Sequence, residues 1–277
     1  MRVPVAVLLV IAMGLGGCGR GGTSTATSTS TRVTTAPAST TTTTAAWVVG
    51  ATALPLRPDG LGEMLPTPAP LVDRRLPTKD LLPPPSSGAF ASTISPISDA
   101  IRTRMGETYH DGCPVTLSEL RYLTVSFWGF DDRAHTGELV VNQSQANNVV
   151  QVFATLFAHR FPIEEMRLPT TADLDAPPTG DGNNTAGFVC RNSRGTSSFS
   201  AHASGLAIDV NPFQNPYSKG DIVLPELASA YLDRSNHRPG MVYAGDVVQR
   251  AFASIGWSWG GAWRSPVDRM HFTATGH

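Results

Sequence analysis

The pattern of apolar and polar positions changes character several times along this chain. An unbroken apolar run from Val3 to Leu15 opens it. Residues 19–46 are almost entirely Thr, Ser, Ala and Gly. From 47 to 98, leucines and valines lie scattered among prolines with no period. Proline fixes φ and removes an amide donor, so this stretch predicts neither long helices nor central strands, but an extended wrap or spacer. Regular periodicity starts near Asp99. Residues 123–130 are rich in β-branched and aromatic side chains and predict a strand, as do residues 138–141. Turn residues fill 131–137 between them, so a hairpin is expected. Ala146, Val149, Val150, Phe153, Leu156 and Phe157 then recur at helical spacing, with Asn142 to cap the start and Pro162 to end the pattern. Residues 207–210, 257–259 and 270–273 read as further strands. A second helix is expected over 247–255, with Asp246 as its cap and Gly256 in the left-handed position after its last turn. Helices before and after mainly antiparallel strands predict an α+β fold, a small sheet packed with helices.

Composition narrows the class of protein. The formal net charge is −1 and only 16% of residues are charged, which gives no basic patch for nucleic acid. Arg2 precedes the apolar run, and Leu15-Gly16-Gly17-Cys18 closes it. This reads as a secretory signal ending in a bacterial lipoprotein cleavage box, with Cys18 as the lipidated first residue of the mature protein. The run is short for a membrane span of about 20 residues. The expected location is therefore the outer face of the cytoplasmic membrane, facing the cell wall. Residues 19–46 lack the apolar content to offset the entropy of ordering and read as a disordered linker. As a flexible coil they would span roughly 30 Å, and fully stretched on the order of 90 Å. The expected organisation is 1–18 signal and lipobox, 19–46 linker, 47–98 proline-rich extended segment, and 99–277 catalytic domain. In an oxidising compartment the remaining cysteines, Cys113 and Cys190, are expected to pair rather than stay as buried thiols. That bridge would stabilise the fold by about 4 kcal/mol in the chain-entropy model.

Candidate chemistry sits in residues 200–212 and 265–272. His202 and Asp209 stand seven positions apart with Gly205 and Ala207 between them, and His271 follows near the C-terminus. Two neutral nitrogens and one anionic oxygen suit Zn2+, and three protein ligands leave a fourth position for water. Asp268 lies three residues before His271, within reach of that water as a general base. The geometry would suit His202 ending one strand, Gly205 in a turn, and Asp209 on the next strand.

The string Ser-x-His-x-x-Gly-x-Ala-x-Asp from Ser200, followed by Asp-x-x-His from Asp268, resembles the VanY-like zinc D-alanyl-D-alanine carboxypeptidases. Residues 211–217, Cys190-Arg191 and residues 257–263 carry the same likeness, which spans about 113–272. The resemblance implies His202, Asp209 and His271 as zinc ligands and Asp268 as catalytic base. It also places an arginine at Arg191, where a guanidinium would stabilise the developing oxyanion or hold the substrate carbonyl. The alternative for Arg191 is an ordinary surface ion pair. Ser200 either binds the substrate's free carboxylate or only orients His202. Trp263 is the candidate for lining the cleft. His110, His135, His159, His237 and His277 belong to no ligand-spaced pair. His135, in the expected turn, reads as structural or solvated.

The implied activity is removal of the terminal D-Ala from peptidoglycan stem peptides by a monomer tethered through its lipid. Neither lysine, Lys79 or Lys219, follows a serine by three positions, so a serine mechanism of the Ser-x-x-Lys type is not expected. One alternative is an endopeptidase cutting L-Ala–D-Glu or a cross-bridge with the same zinc site, the loop 169–187 selecting the substrate. The other is a non-catalytic, zinc-containing wall-binding lipoprotein.

Overall fold

The computed structural model describes residues 46–276, which lie in a unit spanning 45–277. The signal segment, Cys18 and nearly all of the linker lie outside the described residues, as does His277.

The chain forms an α+β fold whose strands are shared among three small antiparallel sheets. The first sheet has the order β1 (Ser92–Pro96), β2 (Leu120–Trp128) and β3 (Ala134–Asn142). Leu123 faces Leu139 and Val125 faces Gly137 across the central pair. The strands are longer than the sequence pattern suggested, because the turn is confined to a few residues around Asp132, which takes φ +58°. His135 is therefore not in the turn but inside β3. It is buried, with Nδ1 2.7 Å from Asp80 and Nε2 3.0 Å from Asp131.

Helix α1 (Ala69–Val72) is a single turn in the proline-rich segment, and α2 (Asp99–Met105) follows β1. The expected long helix is α3 (Ala146–Ala158), entered through a 3₁₀ turn whose cap is Asn142. Its stripe of Val149, Val152, Phe153 and Leu156 packs on Leu123, Val125, Leu139 and Val141. The other face of the sheet is also covered: Leu120 and Val140 join Met105, Val115, Leu168, Phe188 and Cys190. Burial on both faces explains why Leu139, Val140 and Val141 run apolar without alternation. Within the second cluster, Cys113 and Cys190 form the expected disulfide.

After the short helix α4 (Thr171–Asp175), the remaining elements build the other two sheets. One has the order β4 (Ala207–Asp209), β9 (His271–Thr273), β7 (Ser258–Trp259). The other has the order β6 (Ile222–Leu224), β5 (Tyr217–Lys219), β8 (Val267–Asp268). Helix α5 (Val247–Ser254) starts at the predicted cap: the Asp246 carboxylate accepts the Gln249 amide, and Gly256 takes φ +81°. Its buried face, Val248, Ala251 and Phe252, joins Ile208, Val210 and Phe272 in the same core as α3.

Segment 47–98 wraps this core. Leu54 and Leu71 pack with Phe213, Leu227, Tyr231 and Met241. Arg74 is fully buried; its Nε donates to Glu164 at 2.7 Å and its Nη1 to the Asp181 carbonyl at 2.8 Å. A buried guanidinium needs such pairing, since an unpaired charge in the interior is very costly. The wrap also supplies β1 of the first sheet.

Candidate metal centre

Two short strands and one turn bring the candidate ligands together. Asp209 on β4 and His271 on β9 are direct register partners, so the pleat sends both side chains to one face of the sheet. His202 reaches them from a 3₁₀ turn, Ala201–Ser204, and not from the strand end expected of it. The Ser200 hydroxyl accepts the His202 amide at 3.4 Å and caps this turn. Gly205 ends it at φ +65°, and a Cβ there would lie 2.5 Å from the Asn142 amide nitrogen. Only glycine meets both demands, left-handed backbone and close approach to β3.

The ligand atoms of His202, Asp209 and His271 all lie within 4.8 Å of one another. His271 Nδ1 is 3.0 Å from Asp209 Oδ1, and His202 Nε2 is 3.3 Å from Asp209 Oδ2 and 3.2 Å from His271 Nδ1. His202 Nδ1 donates to the Gly187 carbonyl at 2.6 Å, which leaves Nε2 as a lone-pair donor facing the cluster. Burial opposes ionisation of Asp209, but His202 and His271 prevail and hold its carboxyl well below the usual range. Two imidazoles and an ionised carboxylate converging in this way fit a divalent cation, zinc by ligand type. His110, Cys113 and Cys190 also lie close together, but both sulfurs are committed to the disulfide.

Asp268 stands beside the cluster on β8, paired in register with Tyr217. Its Oδ1 is buried and accepts no hydrogen bond. Burial and the neighbouring Asp209 charge push its carboxyl up to about 7, against the opposing pull of His271, Arg191 and Arg269. Gly260 lets β8 approach: a Cβ there would lie 2.6 Å from the Asp268 carbonyl oxygen.

A cavity of about 910 Å³ opens from the cluster. Arg191, Ser200, Trp263 and Asp268 all line it. Arg191 is exposed, next to the disulfide, and its carbonyl accepts the Ser200 amide at 3.0 Å. The Trp263 ring centroid lies 5.6 Å from that of His271. Residues 176–184 of the predicted selector loop also reach the cavity wall. Gly187, whose carbonyl sets the His202 tautomer, and Asp181, a buried carboxylate on the cavity wall, carry no motif of their own in the sequence. The need for glycine at 187 comes from β3, since a Cβ there would meet the Val140 carbonyl at 2.5 Å.

Fold and site thus define an α+β domain with a His-Asp-His cluster that could hold a cation and opens to a large cavity. Residues 194–274, under a third of the chain, match a peptidase family model described as D-alanyl-D-alanine carboxypeptidase. The matched segment contains His202, Asp209, Asp268 and His271; it begins after Cys190 and Arg191. Neither the curated proteins nor the solved structures contain a match to the chain.

Proposed function

We propose that the protein is a zinc-dependent D-alanyl-D-alanine carboxypeptidase acting on peptidoglycan stem peptides. The observation that carries this reading is the convergence of three ligand atoms beside a buried, unpartnered carboxylate oxygen, inside a segment that matches a peptidase family. His202, Asp209 and His271 hold the ion, and Gly187 fixes the imidazole of His202 in the ligating tautomer. Zinc bound there supplies Lewis-acid polarisation of the scissile carbonyl and a more acidic water. Asp268 Oδ1 takes the proton from the attacking water and returns it to the departing amine nitrogen. With no other hydrogen bond to Oδ1, this carboxylate is free for both halves of that transfer. The Arg191 guanidinium, on the cavity wall, faces the charge that develops on the carbonyl oxygen. Ser200 orients His202 through the turn it caps, and Trp263 forms a wall beside His271.

The proposed setting is the outer face of the cytoplasmic membrane, with a lipid on Cys18. A disulfide at Cys113–Cys190 accords with an exported chain. Among the described residues no helix is long and apolar enough to cross a membrane.

The test is incubation of the zinc-loaded protein with a synthetic stem pentapeptide ending D-Ala-D-Ala, read by mass spectrometry. Loss of a single D-Ala, abolished by a chelator and by Asp268→Ala, is expected. Cleavage elsewhere in the stem or a cross-bridge would replace the carboxypeptidase by an endopeptidase. Stoichiometric zinc with no cleavage of any wall peptide would leave a wall-binding protein.

A further inference from the structure

We infer that the turn 47–50, latched by Asp181, is a specificity wall of the cavity that favours stem peptides over a bare D-Ala-D-Ala dipeptide. This rests on the carboxypeptidase reading and adds to it a part of the chain that the family match does not cover.

The cavity is far larger than a terminal dipeptide requires. At about 910 Å³ it stands near the top of the ~300–1,000 Å³ range of pockets that enclose drug-sized ligands. One end is the His-Asp-His cluster; Val49 and Gly50 line it as well. Segment 181–187 connects the two. At one end the Gly187 carbonyl binds His202, then Ala186 pairs with Asp209 and Asn184 bridges to Glu165, and at the other end stands Asp181. Six residues of extended chain cover at most ~20 Å. A peptide laid along that segment from the cluster runs toward the turn 47–50, and the residues before its last two are the ones placed to meet that turn.

Asp181 fixes the turn in place. It is 1% exposed, and among the described residues no cationic side chain pairs with its carboxylate. Its oxygens instead accept the Trp47 indole Nε1 at 2.9 Å, the Gly50 amide at 3.1 and 3.2 Å, and the Thr179 hydroxyl at 2.6 Å. The Ala51 amide closes the turn on the Val48 carbonyl, and Gly50 adopts φ +76°. Trp47 packs on the apolar cluster around Leu54 and Phe213. The latch leaves Val49 42% exposed on the cavity wall, an apolar surface separate from the His-Asp-His cluster. Binding energy gained there is available to a four- or five-residue stem and not to a dipeptide.

The experiment compares kcat/KM for the stem pentapeptide and for N-acetyl-D-Ala-D-Ala in the wild-type protein, in Trp47→Ala, and in Val49→Arg. The second variant alters an exposed side chain and leaves the latch intact, so misfolding does not confound it. The pentapeptide-to-dipeptide ratio is expected to fall by about ten-fold in both, the size of effect that a lost apolar contact produces, and to appear in KM. Titration calorimetry of the pentapeptide on Asp268→Ala, with and without each wall substitution, reads the same loss as a weaker Kd without turnover. An unchanged ratio and unchanged Kd in both variants would overturn the wall. A wild-type protein that binds but does not cleave the pentapeptide would sink the carboxypeptidase reading alone, and calorimetry would still decide the wall.

Discussion

The hairpin layer and the site layer of this protein are held by different means. In the first, β2 and β3 pair over nine residues each, and α3 lays a continuous apolar stripe on them. In the second, no strand exceeds three residues. Ladders so short contribute few hydrogen bonds, and the site layer adds individual polar contacts to the side chains, Ile208, Val210 and Phe272, that it sends into the α3 core. The Asn215 amide group alone bonds the carbonyls of Val210, Asn211 and Gly240, and its oxygen accepts the Val242 amide. Besides that shared core, polar bonds join the two layers at the end of β3. There the Phe188 amide donates to Val140, and the Asn142 amide donates to the Gly205 carbonyl. The 188–190 strip and the His202 turn both hang from one long, well-packed strand. Stability and chemistry are thus largely separable, and substitutions can pull them apart.

The widest separation is expected from Asp268→Ala. Its Oδ1 has no hydrogen bond to lose, so the fold should hold and zinc should still bind. Turnover should fall by about 10²–10⁴-fold, the range for loss of a general acid–base. Steady-state kinetics with metal analysis checks this; comparable losses of melting temperature and activity would contradict it. The converse is Phe153→Ala in α3, 1% exposed and packed on the hairpin. It should cost about 3–5 kcal/mol in denaturant unfolding. Zinc stoichiometry of the protein that remains folded should not change.

The same contrast explains what could be read in the sequence. Periodicity marked α3, α5 and the hairpin, because each buries a long regular face. The candidate ligand set stood out for another reason. Metal chemistry restricts residue types, and Asp209, Asp268 and His271 sit in short strands whose spacing is nearly fixed. The turn carrying His202 was misread as a strand end, since the two-residue reach from the Ser200 cap depends on Gly205 fitting against β3, a tertiary fact. His135 was placed in a turn because Ala134 and Thr136 carry no strong signal; its burial is decided by Asp80, 55 residues away. The wrap is the least legible part. Leu54, Leu71 and Arg74 have no period, and their partners Phe213, Tyr231 and Glu164 lie far along the chain.

A smaller effect should appear in the pH dependence of the metal-free protein. The Asp268 carboxyl lies near 7 in the fold, above its ordinary value of 3.8. Between roughly pH 4 and 7 the native state keeps a proton that the unfolded chain has released, so stability falls as pH rises through that window. Unfolding midpoints in chelator at pH 5 and pH 8 should show the decline, and Asp268→Asn should flatten it relative to wild type. An identical slope in the variant would place the titration elsewhere. Bound zinc should also flatten the slope, because a nearby cation favours the carboxylate.

The smallest expected effect tests the joint between the two layers. Asn142 ends β3, and its Nδ2 donates to the Ser204 carbonyl at 3.1 Å, in the turn that carries His202. Its Oδ1 accepts the Ser144 amide at 3.1 Å and so starts the entry to α3. Asn142→Ala removes these contacts and the 2.8 Å bond from the Ser144 hydroxyl to Oδ1, and leaves the backbone bond to Gly205. Loss of one cap and one hydrogen bond should cost about 1–2 kcal/mol of stability. Unlike Phe153→Ala, it should also weaken zinc binding, because the His202 turn loses one of its two straps to β3. Competition with a colorimetric chelator measures that affinity, and a zinc affinity equal to wild type at reduced stability would mean that the backbone bond alone positions the turn.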